Sequence, residues 1–223
     1  MLRLGSFILL FIMPLAFAQN PLPECGYEDR PASLTSYDAW PDTLLDTLYT
    51  LPEDYAPSDL EPVSSLGVGS DATQLRSFVL PDLKALLAAA EAAGMGLEVQ
   101  SAYRSYSYQE QTFAYWTEQD GYDAALKSSA RPGHSEHQLG TALDFRSADG
   151  PPAWELDDWA ETPEGAWLAQ HAAAFGFVMS YPKGKEALTC YIYEPWHYRY
   201  VGREEAAEVA ASGLTLREWL WQR

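Results

Sequence analysis

Positive charge is scarce in this chain: 14 lysines and arginines stand against 32 aspartates and glutamates, a net charge of −18. Nothing here neutralises a phosphate backbone, which excludes a nucleic-acid partner. Histidine is scarcer, with four in 223 residues, and no dense His or acidic cluster of the kind a zinc-storage protein needs is present. Cysteine occurs twice, at Cys25 and Cys190, which leaves room for one disulfide. No serine stands in a GxSxG context, so Ser135 has no nucleophile elbow and a serine hydrolase is disfavoured. There is no internal repeat and no low-complexity segment.

The apolar residues that are present begin with a short run. Residues 1–18, MLRLGSFILLFIMPLAFA, carry one basic residue, Arg3, then an apolar stretch ending in Ala16-Phe17-Ala18. That pattern predicts a signal peptide, too short to be a comfortable membrane span, and a mature protein exported to the periplasm, cell wall or medium without stable membrane insertion. In such an oxidising compartment Cys25 and Cys190 are expected to pair, tying the mature N-terminus to the segment just before Glu194. The remaining length suits one domain with its own core, and a monomer is expected.

Residues 19–70 read as a Pro-rich leader and loops, with one short helix around Asp42–Tyr49. The main folded unit is expected over residues 71–223. Leu83, Leu86, Leu87 and Ala90 keep helical spacing, with Pro81 at a first turn and Gly94 past the end; a helical stretch from Thr73 is expected to join this helix at a kink. GLEVQSA at 96–102, TALDF at 141–145, 176–181 and WHYRYV at 196–201 read as strands. Further helices are predicted over about 107–119, from Pro163 to near Phe175, and after a capping box at Thr215 and Glu218. Trp116, Trp154, Trp159 and Trp167 are read as core. The class is α+β, a small antiparallel sheet with helices packed around it in a single domain.

Three of the four histidines fall in two stretches, ARPGHSEHQLGTALDF (130–145) and EPWHYRY (194–200). Alternation puts Asp144 and Ala142 on one face of the first strand, and His197 and Arg199 on one face of the second. Gly140 lets the chain turn between His137 and Asp144. Two imidazoles and a carboxylate with an open fourth position suit zinc better than calcium or magnesium. Glu194, three residues before His197, is placed to act as a general base. Arg104, at the end of a strand, is a candidate cation for a carboxylate or an oxyanion, and equally a surface ion pair. His171 reads as structural, and His134 as a neighbour of the site, in contact with a ligand or merely adjacent.

SEHQLGTALD matches the SxHxxGxAxD pattern of the LAS-type zinc peptidases of the cell wall, and EPWHYRYVG resembles their second signature. SAYRSYSYQ (101–109) resembles the segment that carries their substrate arginine. With LPEDYAPSDL, YPKGKE and GLTLREWL, the likeness covers most of the mature chain and is strongest to the VanY-type D-alanyl-D-alanine carboxypeptidases. The resemblance implies one Zn2+ held by His137, Asp144 and His197, with Glu194 as base and Arg104 stabilising substrate carboxylate or oxyanion. It further implies Ser135 and Gln109 as substrate contacts and a peptidoglycan stem peptide as substrate, trimmed of its terminal D-alanine. A D,D-dipeptidase, an L,D-carboxypeptidase or an endopeptidase on the same scaffold shares the catalytic set; a non-catalytic wall-binding module would lack part of it. Two positions depart from the pattern: Ser180 stands where such sequences usually carry Arg, and Cys190 where they usually carry Gly.

Overall fold

Alternation within the two motif-bearing stretches builds the two central strands of the main sheet. The computed structural model describes residues 21–33 and 37–223; the expected signal peptide lies outside them. Two small ribbons come first: β1 (Arg30–Pro31) runs parallel to β2 (Tyr49–Thr50), and β3 (Leu60–Pro62) antiparallel to β4 (Gln74–Arg76). The main sheet contains β5 (Leu97–Ser101), β6 (Ala142–Ser147), β7 (Phe177–Met179) and β8 (His197–Tyr200). Its order is β5-β6-β8-β7 with every pair antiparallel. This is the α+β arrangement that the patterning implies.

The register divides the sheet into two faces. Leu143 pairs with Tyr198 and Val99 with Phe145, and these side chains enter the core on one face. Ala142 pairs with Arg199 and Asp144 with His197, which places all four on the other face. A bulge in β5 between Val99 and Ser101 sets Ser101, rather than Gln100, opposite Asp144. The core face is covered by α1 (Leu80–Ala92) through Leu83, Leu86 and Ala90, and by Leu168 of α4 (Pro163–His171). After α4 a 3-10 turn over Ala172–Phe175 ends at Gly176, close to the expected stop.

Ser105 caps α2 (Tyr106–Asp120), which turns at Gly121 into α3 (Tyr122–Ser128). The short α5 (Glu186–Thr189) lies between β7 and β8. At the C-terminus α6 (Arg203–Ser212) and α7 (Leu216–Trp221), the latter with the predicted Thr215–Glu218 capping box, pack Val209, Leu216, Trp219 and Leu220 against Val178 and Val201.

Three local expectations fail for identifiable reasons. A 3-10 helix over Tyr37–Asp42 stops where the expected helix of 42–49 would begin, and the Asp46 carboxylate accepts the Leu48 and Tyr49 amides at 2.7 and 2.8 Å, which offers the backbone a turn instead. Residues 74–76 form β4, not a helix, because they pair with β3 and the Arg76 amide donates to Gly140 O. Of the four tryptophans read as core, Trp159 is fully buried and Trp167 packs against the core half-buried, whereas Trp116 is half-buried outside it and Trp154 is exposed, because their positions face away from the sheet's apolar side.

Cys25 and Cys190 form a disulfide across 165 residues. Cys190 ends α5 with φ of 71°, the one non-glycine residue with positive φ among those described. A left-handed backbone at this position costs a residue with a Cβ about 1–2 kcal/mol relative to glycine. Buried Arg217 ties the same segments together, donating to Asp46 Oδ2 at 2.6 Å, Leu188 O at 2.8 Å and Pro23 O at 3.0 Å. Reducing the disulfide should therefore lower the unfolding free energy in urea by about 2–5 kcal/mol. In the reduced background, Cys25→Ser/Cys190→Gly should be more stable than Cys25→Ser/Cys190→Ser by about 1 kcal/mol, since glycine alone relieves the strain.

Candidate metal centre and active site

Asp144 and His197 are direct cross-strand partners on the face of the sheet away from the core. Their pairing brings His197 Nδ1 to 3.1 Å from Asp144 Oδ1. The third member comes from the turn that precedes β6. Ser135 caps a 3-10 turn over Glu136–Leu139 by accepting the His137 amide at 3.3 Å. Gly140 ends the turn with φ of 72°, where a Cβ would sit 3.0 Å from Arg76 Cγ and 3.1 Å from Leu60 Cδ2. Only glycine both adopts that backbone and fits that gap. The turn leaves His137 beside the strand pair, its ring 4.9 Å from that of His197 and steeply inclined to it. Ligand atoms of His137, Asp144 and His197 all lie within 4.8 Å of one another, and all three residues are buried.

The hydrogen bonds behind the rings decide which nitrogens face inward. His137 Nδ1 lies 2.6 Å from Ala102 O, a carbonyl that only accepts, so Nδ1 carries the proton and the lone pair is on Nε2. That Nε2 is buried and makes no hydrogen bond, although Asp144 Oδ1 lies 3.4 Å away. His197 Nε2 donates to Glu136 Oε2 at 2.9 Å, which turns Nδ1 inward. A buried imidazole nitrogen without a partner, beside a second inward nitrogen and a carboxylate oxygen, is a donor set that fits a tetrahedral divalent ion such as zinc.

The titratable groups of the site shift one another. Burial, with help from the Arg104 guanidinium, lowers His137 to about 4, so it stands neutral. Burial alone would raise Asp144, but the two imidazoles outweigh it and hold the carboxyl well below its usual range. Burial disfavours the charged form of His197, yet its bonds to Asp144 and Glu136 prevail and raise it to about 10. Glu136, despite burial, is lowered to about 2 by His197, Arg199 and Ser180.

Glu194 is half-buried beside this group. Its amide donates to Tyr181 O and its carbonyl accepts the His197 amide, so the chain turns tightly over the two residues between Glu194 and His197. Burial, joined by the charges of Asp144 and Glu136, raises its carboxyl to about 8. Arg104 also reaches the site. Its Nη1 donates to Ser101 Oγ at 2.9 Å and to Asp144 Oδ2 at 3.4 Å, while Nε donates to Gln109 Oε1 at 3.0 Å. Nη2 makes no hydrogen bond among the described residues.

Gln109 and Ser135 both make structural contacts beside the site. Gln109 is buried, with Oε1 on Arg104 and Nε2 donating to Ala130 O at 2.7 Å, so it braces the arginine. Ser135 is buried and its Oγ serves the turn that presents His137. His134 turns away from the centre, bonding Asp46 O at 2.8 Å and Asp29 Oδ1 at 3.0 Å. His171 stacks on Trp167 in α4.

Sequence reasoning missed Glu136, Arg199 as its buried partner, and Tyr181, whose ring lies 4.8 Å from that of His197. Glu136 stands between two motif residues, but no spacing rule says that its carboxylate crosses to β8.

The family model for VanY, D-alanyl-D-alanine carboxypeptidase, matches residues 72–203. The chain belongs to this family. It is 37% identical over 180 residues to the putative carboxypeptidase YodJ of Bacillus subtilis, covering 79% of this chain and 65% of that protein. Its likeness to a D-alanyl-D-alanine carboxypeptidase of Enterococcus faecalis is 36% over 151 residues, 64% of this chain and 54% of the relative. The chain thus spans between about half and two thirds of these two curated relatives. Among solved structures, the LdcB LD-carboxypeptidase is 34% identical with a TM-score of 0.69, covering 82% of this chain and 87% of that one. A mutant of the VanY D,D-pentapeptidase from a VanB-type resistance cassette, in complex with Zn(II), is 32% identical with a TM-score of 0.69, covering 81% and 99%.

Replacing His137 or His197 by Ala should lower zinc affinity by at least about 100-fold in chelator competition, because each removes a direct donor. His171→Ala should leave affinity unchanged, since its ring is engaged with Trp167.

Proposed function

We propose that this protein is an exported, zinc-dependent carboxypeptidase that removes the terminal D-alanine from peptidoglycan stem peptides. The observation that carries the reading is the convergence of His137 Nε2, Asp144 Oδ1 and His197 Nδ1 with Glu194 and Arg104 beside them. The solved relative that holds Zn(II) supports the choice of metal. A zinc ion bound there supplies a Lewis acid and acidifies water.

The protein's own groups account for the rest. Glu194 takes a proton from the attacking water and returns it to the leaving amine. Arg104 is clamped on one edge by Gln109 and Ser101, and its Nη2 is left to receive a substrate carboxylate or the developing oxyanion. Clamping matters because an arginine already ordered loses little freedom on binding.

Export rests on the pattern of residues 1–18 and gains support from the Cys25–Cys190 disulfide. No helix among the described residues is long and apolar enough to cross a membrane.

A second reading, L,D-carboxypeptidase, stays open on one observation: the LD-carboxypeptidase and D,D-pentapeptidase neighbours have equal TM-scores to this chain. Incubation with a defined pentapeptide stem ending in D-Ala-D-Ala, and with the tetrapeptide, followed by mass analysis, decides between them. Loss of one alanine from the pentapeptide alone supports our reading; trimming of the tetrapeptide alone supports the second. Glu194→Ala should lower kcat by about 10²–10⁴-fold, the usual worth of a positioned acid–base group. Full activity in that variant would remove Glu194 from the mechanism.

A further inference from the structure

Glu136 is 4% exposed, and its carboxylate serves three donors. Oε2 accepts from His197 Nε2 at 2.9 Å and from Ser180 Oγ at 2.6 Å, and Oε1 accepts from Arg199 Nη1 at 3.1 Å. Arg199 is itself completely buried, and its Nη2 donates to Trp40 O at 2.7 Å. Burying a carboxylate and a guanidinium together is costly, and well-packed apolar residues often do as well for stability alone. The network therefore calls for a reason beyond holding the fold. One lies at its inner end, where the third donor is a ring nitrogen of a candidate metal ligand.

We propose that Glu136 is a positioning residue for the metal centre: it holds His197 in the tautomer that turns Nδ1 inward, while Ser180 and Arg199 hold Glu136. The inference rests on the reading of His137, Asp144 and His197 as a zinc site. The geometry is of the carboxylate–histidine–metal kind, in which the outer carboxylate sets ring orientation and raises the basicity of the inner nitrogen. The chain achieves it economically. Glu136 and His137 are adjacent, yet their side chains serve different donors, His137 as a ligand and Glu136 as the support of the ligand 61 residues away. Ser180 contributes a short hydrogen bond to the same oxygen.

The test compares mature wild-type protein with Glu136→Gln, which keeps size and an acceptor but loses the charge. The expected result is a 10–100-fold loss of zinc affinity in competition with a chromophoric chelator. It should come with an altered visible spectrum of the cobalt-substituted protein and a fall in kcat at nearly constant KM. Zinc affinity within about threefold of wild type and an unchanged cobalt spectrum would overturn the proposal while leaving the zinc reading intact. Wild-type protein that binds no zinc would sink the zinc reading itself, and this proposal with it. Should Glu136→Gln fail to fold, 15N-histidine spectra of zinc-loaded wild type decide. Coordination of His197 through Nδ1 with a retained Nε2 proton sustains the proposal, and coordination through Nε2 ends it.

Discussion

The cross-strand pairing of Asp144 with His197 is the constraint on which the rest of the molecule depends. A strand displays alternate residues on opposite faces, so a slip of one residue between β6 and β8 would send one of the two into the core. The register is protected by what lies behind it. Leu143, Phe145, Tyr198 and Tyr200 pack on the opposite face against α1, Trp159 and Leu168, and any slip would carry these side chains into the site. Hydrophobic burial on one face thus holds the geometry of polar groups on the other.

The polar face is a balance of charges that would be unfavourable one by one. Three carboxyl groups, Glu136, Asp144 and Glu194, lie close together with two imidazoles and with Arg104 and Arg199. Burial outweighs the charges of His197 and Arg104 at Glu194, and it is the one of the three whose carboxyl is raised. Asp144 and Glu136, each bonded to an imidazole and a guanidinium, remain ionised. Neighbouring carboxyls with such different surroundings are suited to different tasks, one to proton transfer and two to holding charge.

The segments that frame this face are tied to the N-terminal part of the chain. The disulfide joins Cys25 to the residue that ends α5, and Arg217 spans Pro23, Asp46 and Leu188. Arg199 reaches Trp40, and His134 reaches Asp29 and Asp46. Residues that look like a loose leader by composition therefore supply carbonyls and carboxylates that satisfy buried cations around the site.

Much of this was legible in the chain itself. The strand alternation in TALDF and WHYRY assigned Asp144, His197 and Arg199 to their faces, and Gly140, with φ of 72°, is the hinge its position between His137 and Asp144 implies. Helix α1 and the C-terminal capping box follow local rules and formed where those rules place them. The misses in the fold have two causes: the Asp46 side chain turns its own backbone locally, and residues 74–76 are recruited by β3. Sequence alone determined which donor types exist and on which face of each strand they stand, because periodicity is a local property. Only the tertiary structure decided which nitrogen of each imidazole points inward and that Glu136 stands behind His197. Those choices are made by hydrogen bonds to Ala102, 35 residues from His137, and to Glu136, 61 residues from His197, which no local pattern encodes.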